Sequence, residues 1–123
     1  LSPQIHNYWI KQNQLEVEEY RKIEINLLNS KVEIKKLLEN EFSGLNVTIP
    51  LKEIAYEICD TLTETSKKLK AVNTITYNNN SISGDNTDPE GFTKSIAEKI
   101  KTENIVGKNV LVIGAGGSAR SIV

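Results

Sequence analysis

The sequence has little that would place it in a membrane or in an oxidising compartment. Cys59 is its only cysteine, so no internal disulfide can form, which is typical of cytoplasmic proteins. No apolar run approaches the roughly 20 residues of a membrane-spanning helix, and no signal peptide is recognisable. We therefore expect a cytoplasmic protein without membrane contacts.

An excess of charge of one sign is also lacking. Lys and Arg together number 15 and Asp and Glu 16, so the formal net charge is −1. Such a balance provides no general attraction to nucleic acid or to anionic membranes. We therefore expect no nucleic-acid partner. We also expect no metal site.

The chain has 123 residues, which is enough for one modest domain with a hydrophobic core. It begins at Leu1 rather than at a methionine, and it ends at Val123, a few residues into a predicted helix. So short a helix has not yet buried its apolar face against the rest of a domain. We therefore expect a piece of a longer protein.

Helical and strand-like patterns alternate along the chain, which predicts an α/β fold. Helices are predicted from Ser2 as N-cap to about Asn13, over 31–42, from Lys52, over 63–69 and from Asp88. Strands are predicted over 20–25, 44–49, 72–77, 81–84 and 109–113, with a hairpin turn at 78–80. The last strand is continuously apolar, which is typical of burial in a parallel sheet.

A glycine-rich segment follows this last strand. Gly114, Gly116 and Ala119 fit the pattern G-x-G-x-x-A, in which backbone amides at a helix start approach the diphosphate of a dinucleotide. The alternative is a tight strand-to-helix turn without a ligand. The acidic residue that would hydrogen-bond the ribose of the cofactor is expected beyond Val123. The pattern is therefore compatible with either NAD or NADP.

Several polar residues lie at the ends of apolar elements. Thr48 alternates with apolar neighbours on a predicted strand, and Asn73 interrupts another strand. Lys52 lies at a helix start, where its charge opposes the helix dipole. Asp88 precedes a helix and could simply be an N-cap, just as Lys52 could be a surface lysine.

Five segments, in this order, resemble the motifs of shikimate dehydrogenases. They are 1–7 (LSPQIHN), 46–52 (NVTIPLK), 71–75 (AVNTI), 84–88 (GDNTD) and 114–117 (GAGG). The resemblance implies an α/β substrate-binding lobe over 1–103, without its first strand, and the beginning of a Rossmann NADP-binding lobe over 104–123.

The resemblance also implies residue roles. Lys52 would be the catalytic acid and base, coupled to Asp88, which also contacts the substrate. Ser2 would bind the substrate carboxylate, and Thr48 and Asn73 would hold the substrate. The residues that would contact NADP are Gly114, Ala115, Gly116, Gly117 and Ser118 at the diphosphate, together with Glu64.

The implied activity is the reversible NADPH-dependent reduction of 3-dehydroshikimate to shikimate, in the pathway to chorismate and the aromatic amino acids. One alternative is a quinate/shikimate dehydrogenase that uses NAD or NADP, and another is a non-catalytic binding module. We expect these 123 residues to be inactive by themselves. The resemblance leaves a monomer and a homodimer both open.

Overall fold

The computed structural model of the chain describes residues 1–100 and 106–122, which form helices and one mixed sheet, as the α/β prediction requires. The helices are α1 (Ser2–Gln12), α2 (Ser30–Asn40), α3 (Lys52–Ile58), α4 (Glu64–Leu69), α5 (Asp88–Ala97) and α6 (Gly117–Arg120). The strands are β1 (Gly44–Asn46), β2 (Thr61–Leu62), β3 (Thr74–Asn78) and β4 (Ser81–Asp85). Within the described ranges, no helix is long and apolar enough to cross a membrane.

The sheet has the strand order β1-β3-β4-β2. The predicted hairpin is confirmed: β3 and β4 are antiparallel, and Asn79 and Asn80 have φ of 49° and 59° in the turn. Asparagine adopts this left-handed backbone more readily than most residues do. Strand β1 is antiparallel to β3, and β2 is parallel to β4. The sequence did not predict β2, because two residues show no periodicity.

The core lies where α2 and α3 pack against β3 and β4. Its buried apolar residues are Ile34, Leu38, Ala55, Ile58, Val72, Ile75 and Ile82. The helical spacing of Ile34 and Leu38 therefore identified the buried face of α2 correctly. The core includes Ala55 of α3 and Val72, which precedes β3, so it lies next to the polar residues Lys52 and Asn73.

Three predictions about local structure are wrong. Residues 20–25 and residues 109–113 form no strand and join no sheet, and Leu111 and Ile113 are almost fully exposed. A strand needs a neighbour to accept its hydrogen bonds, and neither segment has one among the described residues. Leu1, not Ser2, is the N-cap of α1. The predicted domain boundary at 103 and 104 lies outside the described residues.

Close packing at Gly84 leads to a first prediction. A Cβ atom at this position would lie 2.6 Å from Cys59 Sγ and 2.8 Å from Val72 Cγ2. We expect Gly84→Ala to lower the free energy of unfolding by about 2 kcal/mol, because overpacking forces neighbouring side chains to move. Urea denaturation measures this change.

The matched control is Gly91→Ala within α5, where an added Cβ meets no atom within 4 Å. Alanine is the better helix former, so this variant should gain about 0.5–1 kcal/mol. Equal urea midpoints for the two variants would contradict the packing argument.

Cys59 carries a second prediction. Burial, with the nearby charge of Asp60, raises the pKa of the Cys59 thiol to about 11, and Sγ donates a hydrogen bond to the Ala55 carbonyl at 3.1 Å. At pH 8 the thiolate fraction should therefore be about 100-fold below that of a thiol with the ordinary pKa of 9.0. We expect correspondingly slow alkylation by iodoacetamide in the native protein and fast alkylation in urea. Equal rates in both would contradict this.

Candidate functional site

A lysine and an aspartate that are 36 positions apart in the sequence form an ion pair at the starts of two helices. Lys52 is the first residue of α3 and Asp88 the first of α5. Lys52 Nζ lies 2.6 Å from Asp88 Oδ2, and the two side chains are 12% and 29% exposed. An ammonium group so far removed from water needs a charged partner, which Asp88 provides.

The second oxygen of the Asp88 carboxylate is held by Asn73. The amide Nδ2 of Asn73 donates to Asp88 Oδ1 at 2.8 Å and to Thr87 Oγ1 at 3.1 Å. The carbonyl Oδ1 of Asn73 accepts from the Thr87 backbone N–H at 3.1 Å and from the Thr74 hydroxyl at 2.8 Å. Both carboxylate oxygens of Asp88 are therefore oriented by side chains from other elements.

Asn86 orients the backbone that carries Asp88. It is buried, its Oδ1 accepts from the Asp88 N–H at 3.1 Å, and its Nδ2 donates to the Ala71 carbonyl at 3.0 Å. Sequence reasoning did not assign Asn86 a role, although an asparagine two residues before a helix start is typical of this kind of turn. The N-cap role considered for Asp88 is wrong: Thr87 is the N-cap, and the Asp88 carboxylate points to Lys52 and Asn73.

Backbone hydrogen bonds bring these segments together at one end of the sheet. The Val72 N–H donates to the Lys52 carbonyl at 2.9 Å, which attaches the start of α3 to the segment before β3. The Asn73 N–H donates to the Asp85 carbonyl at 3.0 Å, and the Asn73 carbonyl accepts from the Val47 N–H at 2.7 Å. Three motifs distant in sequence therefore meet around one ion pair.

Two other predicted site residues lie outside this network. Thr48 is exposed and borders a groove of about 800 Å³ beside β1, which is lined also by α1 residues and by the 15–25 segment. Ser2 is exposed at the start of α1, where its carbonyl lies 2.8 Å from His6 Nδ1. Their contacts with a substrate stay predictions.

The glycine-rich segment from Gly114 to Gly117, called the glycine loop from here on, lies beside Lys52. A Cβ atom at Gly117 would lie 3.4 Å from Ala71 Cβ and 3.8 Å from Lys52 Cδ, so the loop packs against the lysine side chain. Gly114 has φ of 129°, which favours glycine, and a Cβ at Gly116 would meet no atom within 4 Å. The residues from Gly114 to Gly116 are exposed, so the loop leaves open space at its backbone for an anionic group.

Among the described residues, Glu64 makes no hydrogen bond or ion pair with the glycine loop. It begins α4, its side chain is 80% exposed, and its carboxylate pairs with Lys67 at 2.8 Å. The hydrogen bond from Lys67 lowers the pKa of Glu64. A contact of Glu64 with a cofactor stays a prediction.

Comparisons with a family model and with related sequences both match shikimate dehydrogenases. The family model described as the shikimate dehydrogenase substrate binding domain matches residues 1–75. The NADP(+) shikimate dehydrogenase of Pelagibacter ubique is 42% identical in an alignment 128 positions long, which covers 100% of this chain and 45% of that protein.

Solved structures agree. The structure of shikimate dehydrogenase from Aquifex aeolicus is 35% identical to this chain and superimposes with a TM-score of 0.90. The match covers 99% of this chain and 45% of the Aquifex chain. The Thermus thermophilus enzyme, solved in complex with NADP(H) and shikimate, is 30% identical with a TM-score of 0.83, covering 98% and 44%. The chain therefore spans slightly less than half the length of these relatives.

Proposed function

The chain belongs to the shikimate dehydrogenase family, and from this we propose that it forms the substrate-binding lobe of an NADP-dependent enzyme that reversibly reduces 3-dehydroshikimate to shikimate. The observation that carries the proposal is the half-buried Lys52–Asp88 ion pair, which lies directly beside the glycine loop. We assign residues 1–103 to the substrate lobe and residues 104–123 to the start of the cofactor lobe.

In this proposal Lys52 transfers the proton. As the ring carbonyl of 3-dehydroshikimate is reduced, its oxygen gains negative charge, and Lys52 Nζ stabilises that charge and donates a proton to the oxygen. In the opposite direction the lysine removes the proton from the shikimate hydroxyl. Asp88 holds Nζ at 2.6 Å and is itself held by Asn73, so the proton donor needs little reorganisation during the reaction.

The substrate contacts proposed for Ser2, Thr48 and Asn73 follow from the family motifs. The exposed side chains of Ser2 and Thr48 are accessible to a ligand. Asn73 already donates to both Asp88 and Thr87, so a substrate hydroxyl would share one of these bonds or replace the bond to Thr87.

NADP fits the glycine loop. The open space at the Gly116 backbone and the positive φ of Gly114 suit a diphosphate, which Gly114 to Ser118 would hold, and we retain Glu64 as a further proposed contact. When bound, NADP(H) supplies the hydride-transfer chemistry. The naming of the Pelagibacter relative as NADP(+)-dependent supports NADP over NAD.

A spectrophotometric assay tests this function. The full-length protein is mixed with shikimate and NADP, and the formation of NADPH is followed by its absorbance. We expect turnover with this pair, slower turnover with NAD or with quinate, and none from the 123 residues alone. Preference for quinate would indicate the alternative dehydrogenase, and shikimate binding without turnover would indicate a binding module.

A further inference from the structure

An ion pair joins the helix that follows the glycine loop to the helix that begins with Lys52. Arg120, the last residue of α6, contacts Glu53 Oε1 through its Nη2 atom, and Glu53 directly follows Lys52 in α3. The two side chains are 38% and 62% exposed. Arg120 Nε is buried and has no hydrogen-bond partner in the described part of the chain, whereas Nη2 of the same guanidinium pairs with Glu53.

The same junction is closely packed. Gly117, the first residue of α6, lies against Ala71 and the methylene groups of Lys52. No residue of α6 is buried, so this short helix has no apolar anchor of its own among the described residues. The ion pair at one end of α6 and the glycine contact at the other therefore both connect this helix and the loop before it to the region of Lys52.

We propose that Glu53 and Arg120 are positioning residues, whose ion pair holds the glycine loop at the distance from Lys52 that the reaction requires. This inference rests on the proposed function, because it assumes that the loop binds the cofactor and that Lys52 transfers the proton. Each site should bind its own ligand without the pair, but a small displacement between the two ligands lowers the rate of the reaction. Loss of the pair should therefore slow turnover and leave both binary complexes intact.

A double-mutant cycle on the full-length protein tests the inference. We expect Glu53→Gln and Arg120→Gln each to lower kcat about fivefold, the upper end for a partly exposed ion pair, and the double variant to be no slower than either single variant. The Kd values of shikimate and of NADP, measured separately, should stay within about twofold of the parent. Arg120→Lys keeps the charge and should recover most of the lost kcat.

The matched control is Glu57→Gln. Glu57 is on the same helix, is 54% exposed and pairs with Lys31 at 2.6 Å, away from the loop. This variant should keep the parental kcat.

Three results would overturn the inference: an unchanged kcat in the Glu53 and Arg120 variants, fully additive losses in the double variant, or a weakened Kd for shikimate alone. An inactive parent would instead refute the proposed function, and the cycle is interpreted only on a parent that turns over.

Discussion

Replacing Lys52 with methionine is expected to lower kcat of the full-length protein about a thousandfold and to leave the protein folded. Methionine has a similar length, so the packing of the side chain at position 52 against Gly117 is largely retained while the proton donor is lost. The measurement is the initial rate of NADPH formation from shikimate and NADP, with circular dichroism as the check on folding.

Two further variants make this result specific. Lys52→Arg keeps the positive charge beside Asp88, but a guanidinium does not release a proton at neutral pH, so we expect a loss of at least about a hundredfold. Lys31→Met removes a 57%-exposed lysine that also has a carboxylate partner, and it should keep the parental rate. Near-parental turnover of Lys52→Met would contradict the assignment of Lys52 as acid and base.

Asp88→Asn has the second largest expected effect. The carboxamide keeps an acceptor for Asn73 but removes the counter-charge of Lys52, which is only 12% exposed and would be left unpaired. We expect kcat to fall about a hundredfold and the free energy of unfolding to fall by about 2 kcal/mol, less than for a fully buried pair. Turnover assays and urea denaturation measure the two effects.

The control for this variant lies on the same helix. Glu90 pairs with Lys94 one turn further along α5, and both side chains are more than half exposed. Glu90→Gln should change the free energy of unfolding by less than about 0.5 kcal/mol and leave kcat unaltered, because solvent screens an exposed pair. If both variants lost equal stability, the special environment of Asp88 would be refuted.

Patterns within single elements predicted much of the fold. The three asparagines at 78–80 between two β-rich runs identified the hairpin, and the spacing of Ile34 and Leu38 identified the buried face of α2. These features depend on residues that are close in sequence, so their signal is present in the sequence itself.

The two wrong strand predictions have a common cause. Residues 20–25 and 109–113 contain strand-forming residues, as β3 does, but a strand exists only where another strand accepts its hydrogen bonds. The role of Asn86 was missed for a related reason. Its two partners are the Asp88 amide and the distant Ala71 carbonyl, and only folding brings that carbonyl within 3.0 Å.

The sequence by itself determined the α/β class, the family resemblance and the residue types that could carry the chemistry, because these depend on local patterns and ordered motifs. The resemblance implied that Lys52 and Asp88 are coupled, and the tertiary structure decided that they form a direct ion pair and that Asp88 is not a helix cap. It also decided that Asn73 orients that carboxylate and that Glu53 contacts Arg120. Those contacts join residues separated by 15 to 67 positions. Such pairs leave no periodic pattern in the sequence. They form only when packing of the core brings the starts of α3, β3 and α5 together.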